Sequence, residues 1–115
     1  MRQAGILAAG ALYALEHQRQ RLSLDHAAAR ALAGVLAALP NVQVVAPETN
    51  IVSVTVVGLS AERVVAAARA LGVLVNATGP HSLRAVTHLD LSGADVARAA
   101  ERLCDAISHA RGAMA

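Results

Sequence analysis

The sequence has no lysine, since all ten of its basic residues are arginine. Any chemistry that needs an amine side chain is therefore excluded for these 115 residues alone. Phe and Trp are also absent, Tyr13 is the only aromatic residue, and 28 positions are alanine. These shortages predict a core of closely packed small residues, with Leu and Val as the main fillers. A single domain of this length can bury such a core.

Charge and hydropathy are both unlike those of nucleic-acid-binding or membrane-spanning proteins. The formal net charge is only +2, and the arginines are scattered among eight acidic residues without stacking aromatics, so no nucleic-acid partner is expected. The longest apolar run, Ala4–Leu15, is short of the roughly twenty residues that cross a bilayer. Cys104 is the only cysteine, so no intrachain disulfide can form, and we expect a buried thiol in a cytoplasmic protein.

The first predicted helix, Gln3–Gln18, is apolar on more than one face. Its larger apolar residues are Ile6, Leu7, Leu12, Tyr13 and Leu15. A helix of this kind is normally buried on all sides, and a domain of this size offers too little protein to surround it. We therefore expect an upstream domain or a partner subunit to cover it.

The rest of the sequence shows helix and strand patterns in the order α-β-β-α-β-β-α. Apolar spacing, β-branched runs and turn residues set the boundaries. The predicted elements are a helix over Ser23–Leu39, strands over Val42–Val45 and Ile51–Val57, a helix from Ser60 to Gly72, strands over Val73–Val75 and Leu83–His88, and a closing helix that begins with a Ser92-x-x-Asp95 capping pattern. Short connections favour an α+β fold: a small, mostly antiparallel sheet with helices on one face, preceded by a long linking helix.

Arg84 lies inside an otherwise apolar strand and is the strongest functional signal in the sequence. Period-two alternation puts Arg84, Val86 and His88 on one face of that strand. A lone guanidinium on a strand must bind an anion or stay in water, and its planar fork matches a carboxylate. One interpretation is a site for an amino acid or keto acid; the other is a structural ion pair at the sheet edge. The residues alone leave both open.

Other polar residues give weaker signals. Thr49 and Asn50 precede a strand, and such residues form turns far more often than they bind ligands. The five histidines show no spacing typical of metal ligands, so no metal site is expected, and His88 is expected to be a packed or strand-end residue. Arg2 begins the first helix, where its guanidinium and the free backbone N–H groups can bind a phosphate. An exposed terminal arginine is the ordinary case.

Three segments resemble the C-terminal portion of threonine aldolases: MRQAGILAAGALYALEH at 1–17, ETNIV at 48–52 and SLRAVTHLDLSGADV at 82–96. They follow the family's order over nearly the whole chain. Threonine aldolases are pyridoxal-phosphate lyases with the aspartate-aminotransferase type of fold, and they cleave L-threonine or L-allo-threonine reversibly to glycine and acetaldehyde. The resemblance therefore implies pyridoxal phosphate as cofactor and an amino acid as substrate.

The resemblance also implies roles for two residues. Arg84 matches the arginine that binds the substrate carboxylate. Arg2 matches the arginine of the family's Gly-Gly-Gly-Met-Arg-Gln motif, which implies that it binds anionic groups of the cofactor or substrate across a dimer.

The resemblance further implies that the catalytic groups lie outside this chain. The family's Schiff-base lysine, the aspartate that pairs with the pyridine nitrogen and the histidine stacked on the ring all belong upstream of Met1. We therefore expect a linking helix over residues 1–20, a C-terminal small domain over residues 21–115, no catalytic residue and no activity of the chain alone. The expected partners are an N-terminal large domain and the other subunits of a homodimer or homotetramer.

Two other classes of function stay open. A stand-alone α+β module would use Arg84 to hold an amino acid, and its mark would be ligand binding without pyridoxal phosphate. An interaction module would associate through the Gln3–Leu15 helix, and its mark would be concentration-dependent assembly with no response to ligand.

Overall fold

A computed structural model describes residues 2–114, which form four helices and a four-stranded sheet. The elements are α1 (Ala4–His17), α2 (Leu22–Ala37), β1 (Val42–Val44), β2 (Ile51–Val56), α3 (Ala61–Ala70), β3 (Asn76–Ala77), β4 (Ser82–Val86) and α4 (Gly93–Gly112). The predicted order of elements is confirmed, and most boundaries fall within a few residues of those expected.

The sheet is wholly antiparallel, with the strand order β1-β2-β4-β3. Alternate residues of the two central strands are buried, while the residues between them stay on the opposite face. Helices α2 and α3 contact the strands, and α4 packs against both of these helices. The buried side chains of the three helices and of the sheet form one core. The predicted α+β fold with helices on one face is therefore confirmed, and the other face of the sheet is open.

Small and β-branched side chains fill the core between sheet and helices. The largest fully buried side chains are Leu36, Leu59, Leu83, Leu103, Val52, Val54, Val56 and Val64. Alanines of α2, α3 and α4 occupy the space between them, which lets the helices approach the sheet closely. The core has the composition that the lack of Phe and Trp predicts.

The predicted strand Val73–Val75 is wrong, and the third strand is Asn76–Ala77 instead. The reason lies in how α3 ends. Gly72 has a φ of 79°, its N–H donates to the Arg69 carbonyl, and the N–H of Val73 donates to the Ala68 carbonyl at 2.9 Å. This pair of bonds is the Schellman pattern of a helix C-terminus. Val73 therefore belongs to the helix cap, and pairing with β4 begins only at Asn76.

The two predicted helix caps differ. Ser92 and Asp95 form the full capping box of α4, in which the Ser92 hydroxyl accepts from the Asp95 N–H and the Asp95 carboxylate accepts from the Ser92 N–H. Ser60 occupies the expected position before α3, but its side chain makes no capping hydrogen bond.

Helix α1 stands apart from this packed unit. None of its residues is buried, and the main helix and sheet interfaces of the described chain do not include it. Its five large apolar side chains are 56–75% exposed.

Within residues 2–114, no helix is both long enough and apolar enough to cross a membrane.

Replacing Leu36 with Ala should lower the free energy of unfolding by about 2–5 kcal/mol, because this side chain of α2 is fully buried and its loss leaves a cavity. The matched control is Leu24→Ala on the same helix, where the side chain is 65% exposed and the loss should stay within about 0.5 kcal/mol. Urea denaturation followed by circular dichroism measures both. Equal losses at the two positions would contradict the described packing of α2.

The capping box should make stability pH-dependent. Hydrogen bonds from the Ser92 side chain and backbone, with a smaller effect of Arg98, lower the pKa of Asp95 from 3.8 to about 2. Because the folded-state pKa is depressed, the stabilisation is complete above pH 3.8 and is lost as the pH falls towards 2. We expect Asp95→Asn to be less stable than the wild type at neutral pH, and this difference to shrink over that window. A difference that is constant with pH would contradict the assignment.

Candidate functional site

Arg84 occupies the middle of β4, which is an interior strand of the sheet. Its neighbours Leu83 and Ala85 are buried against the helices, so the Arg84 side chain stands on the open face. It is the only charged residue in the four strands. The predicted alternation, with Arg84 and Val86 on one face, is confirmed.

The two neighbouring strands place uncharged polar residues beside Arg84. Ser53 of β2 lies opposite Arg84 on one side, and Asn76 of β3 lies opposite it on the other. Cross-strand partners share a face of the sheet, so the three residues form a row across β2, β4 and β3. Ser53 and Asn76, like Arg84, are exposed.

Of the two interpretations of Arg84, the structural ion pair at a sheet edge is not found among residues 2–114. Two arginine–aspartate ion pairs occur in the part of the chain that the structure describes, Arg21–Asp25 and Arg98–Asp95, and His88 lies near Asp90. Arg84 belongs to none of them, and its strand is not at an edge. Within residues 2–114 the guanidinium therefore stays free and hydrated, and both of its Nη groups are available to a carboxylate.

His88 lies just beyond the end of β4 rather than within the row. Its Nδ1 lies 3.3 Å from the Asp90 backbone N–H, which donates to it, and 3.8 Å from an Asp90 carboxylate oxygen. These contacts organise the turn that leads to α4. His88 is thus a strand-end residue, as expected.

Asn50 ties the start of β2 to the end of β4. Its side-chain amide donates to the Thr87 carbonyl at 2.7 Å, and the Thr87 N–H donates to the Asn50 carbonyl at 3.0 Å. The buried Thr87 hydroxyl donates in turn to the Asp25 carbonyl of α2 at 2.7 Å. Asn50 thus has a structural role, but its side chain joins β2 to the end of β4 instead of making a bond within the expected turn. The sequence did not predict the role of Thr87, because a hydrogen bond to a carbonyl 62 residues away leaves no local pattern in a sequence.

The structure does not bring Arg2 and Arg84 into one site. Arg2 lies in the turn before α1 and is exposed, and α1 is not packed on the sheet. Gln3, at the N-cap, has a left-handed backbone and makes no side-chain capping bond. The first N–H groups of α1 thus have no side-chain cap, which is compatible with an anion, but the described residues supply no second group to hold one.

Cys104 is half-buried, not fully buried as expected. Burial raises the pKa of its thiol, and the nearby carboxylate of Asp105 raises it further. A thiol with a raised pKa is a poor nucleophile at neutral pH, so Cys104 is a packing residue of α4 rather than a reactive one.

The chemistry of this row suits the binding of a carboxylate. Arg84 supplies a cation on an open polar face, whereas the chain has no lysine and the row around Arg84 has no acid or base. Nor does any group of three His, Cys, Asp or Glu side chains within residues 2–114 suit a metal ion.

Comparison with solved structures finds the same fold in an aminotransferase. LysN, the alpha-aminoadipate aminotransferase of Thermus thermophilus, matches 94% of this chain with a TM-score of 0.72 at 21% identity. The structure of that protein contains N-(5'-phosphopyridoxyl)-L-leucine. The match covers only 30% of the length of the LysN chain. At this identity the likeness concerns the fold, which is confirmed as a piece of the aminotransferase type.

Comparison with sequence families is more specific. No curated protein sequence matches the chain. The family model for beta-eliminating lyases matches residues 1–59, just over half of its length. That family uses pyridoxal phosphate. The expectation that the chain belongs to a family of pyridoxal-phosphate enzymes is therefore confirmed. The matched region contains α1, α2, β1 and β2. By this match, the chain belongs to the beta-eliminating lyase family.

Proposed function

We propose that this chain is the C-terminal small domain of a pyridoxal-phosphate-dependent threonine aldolase, a cytoplasmic lyase, and that Arg84 binds the carboxylate of its amino-acid substrate. The observation that carries the proposal is the free Arg84 guanidinium at the centre of an open sheet face. A charge in this position has no structural partner among residues 2–114. Family membership supplies the class of ligand that suits it.

Arg84 would act on the substrate by holding and orienting it. Its two Nη groups donate to the two carboxylate oxygens, which fixes the plane of the carboxylate and, through it, the direction of the bonds at the α-carbon. The rigid strand beneath keeps the arginine in place, because its backbone is paired on both sides. The cofactor, when bound, supplies the electron sink for bond cleavage.

The other catalytic parts would come from outside the chain. Since the chain has no lysine, a large domain must provide the residue that binds the cofactor covalently. The exposed apolar helix α1 supports such a partner, because five large apolar side chains in water are unfavourable unless another surface covers them. In this proposal α1 is the linking helix within residues 1–20, and Arg2 at its start contacts anionic groups at a subunit boundary of a homodimer or homotetramer.

The aldolase reaction is a more specific proposal than membership of the beta-eliminating lyase family. The support for it is the three matching segments, above all SLRAVTHLDLSGADV at 82–96, which surrounds Arg84. The products distinguish the two reactions on the same substrate. Retro-aldol cleavage of L-threonine yields glycine and acetaldehyde, whereas β-elimination yields 2-oxobutyrate and ammonia.

One observation favours a second candidate, an interaction module. The exposure of α1 would equally suit a chain that associates with its own copies. Sedimentation of the 115-residue chain over a range of concentrations distinguishes the two: self-association that removes α1 from water and that amino acids do not affect would favour this candidate.

Arg84→Ala, made in a complete protein that carries this segment, should lower kcat/KM for L-threonine by about tenfold to a hundredfold, mainly through KM, because it removes a charge-assisted pair of hydrogen bonds. The absorbance of bound cofactor and the melting temperature should not change, since Arg84 is exposed and has no ion-pair partner within residues 2–114. The measurement is steady-state kinetics of glycine and acetaldehyde release.

The matched control for this substitution is Arg69→Ala, which removes an exposed arginine from α3 in the helical layer behind the sheet. It should leave the kinetics unchanged. Wild-type kinetics for Arg84→Ala would overturn the carboxylate role. Release of 2-oxobutyrate and ammonia in place of glycine and acetaldehyde would agree with membership of the beta-eliminating lyase family and would contradict the proposed aldolase reaction. Acetaldehyde produced by the 115-residue chain alone would contradict the need for a large domain.

A further inference from the structure

We infer that Asn76 is a positioning residue for Arg84: its side-chain oxygen accepts a hydrogen bond from the Arg84 Nε–H when a carboxylate occupies the Nη fork. This inference rests on the proposed carboxylate role of Arg84. It concerns a residue outside the three segments that carry the threonine aldolase resemblance.

The backbone fixes Asn76 directly beside Arg84. On the β3 side of the sheet, Thr78 N–H donates to the Ser82 carbonyl at 2.8 Å. Hydrogen-bonded and non-hydrogen-bonded pairs alternate along an antiparallel ladder, so Asn76 and Arg84 form the next hydrogen-bonded pair. Asn76 is thus held by the backbone of the residue that its side chain would orient.

The length of its side chain makes Asn76 a better acceptor for the Arg84 Nε–H than Ser53, the neighbour on the other side. Side chains stand roughly perpendicular to a sheet, and adjacent strands lie about 4.8 Å apart. By covalent structure, the Asn76 amide oxygen lies three bonds from its Cα and the Arg84 Nε lies four bonds from its own, while the Nη groups lie further out. The Ser53 hydroxyl lies one bond closer to its own backbone, at the level of the aliphatic stem. Of the two neighbours, Asn76 is therefore the better placed to accept from Nε without blocking the fork.

Charge explains why an amide suits this position. In the structure, the guanidinium hydrogen bonds among residues 2–114 belong to Arg21 and Arg98, each paired with an aspartate. An aspartate at position 76 would form a comparable pair with Arg84 and compete with the ligand. A neutral acceptor orients the guanidinium and leaves its charge for an external carboxylate.

The experiment titrates the 115-residue chain, labelled with nitrogen-15, with sodium acetate against sodium chloride of equal ionic strength. Backbone signals of β4 report the affinity, and the Arg84 Nε–H signal reports exchange with water. We expect Asn76→Asp to weaken acetate binding about tenfold or more. Asn76→Ala should weaken it less and should abolish the slowing of Nε–H exchange that acetate causes in the wild type.

Two controls separate this effect from general ones. Gln43→Glu adds the same charge to the same open face, but on β1, two strands away from Arg84. It should change the affinity by less than about twofold at moderate salt. Ser53→Ala removes the other polar neighbour and should leave Nε–H exchange in the acetate complex as slow as in the wild type.

The outcomes also separate this inference from the proposed function. Loss of acetate binding in Arg84→Ala, together with wild-type affinity and wild-type Nε–H protection in both Asn76 variants, would overturn the role of Asn76 and leave that of Arg84 intact. A wild-type chain whose β4 signals respond identically to acetate and chloride, or an Arg84→Ala variant that binds acetate normally, would overturn both.

Discussion

Burial of one face of the sheet is the constraint on which the rest of this structure depends. Val52, Val54, Leu83 and Ala85 point towards the helices, and the larger of these side chains each contribute about 1.5–3 kcal/mol by leaving water. Because side chains alternate along a strand, burying Leu83 and Ala85 forces Arg84 to the opposite face. A shift of one residue in register would bury the guanidinium and expose the core residues. The same packing that stabilises the domain therefore presents its one strand charge to solvent.

The elements with strong periodic patterns were predictable from the sequence. The alternation in β2 and β4, the apolar spacing of α2 and the capping box of α4 each depend on residues that lie close together in the chain. Asn76–Ala77 was not predictable in this way, because the Schellman cap that ends α3 uses the N–H of Val73 and shifts the strand along the chain. Propensity favoured the valines, and the hydrogen bonds of the helix end decided otherwise.

The candidate site was likewise predictable from the sequence only in part. Arg84 stood out because a charge interrupts an apolar run, but its isolation from carboxylates depends on the strand order, which no local pattern reveals. Asn76 gave no signal, since it becomes a neighbour of Arg84 only through pairing between β3 and β4. The role of Thr87 likewise arises from tertiary structure, where its hydroxyl joins the sheet to α2. Sequence patterns thus identified the charge, and topology supplied its surroundings.

Helix α1 and Arg84 are the two features that support the proposal of a domain completing a larger site. Helix α1 exposes apolar surface and the sheet exposes a cation, whereas the side chains between the sheet and helices α2–α4 are buried. Binding of the substrate carboxylate by the Arg84 guanidinium is tested most directly by a crystal structure of a complete protein carrying this segment, with an amino acid bound. Both carboxylate oxygens should lie within hydrogen-bonding distance of the Arg84 Nη atoms. A carboxylate held by other residues, with Arg84 still facing solvent, would contradict it.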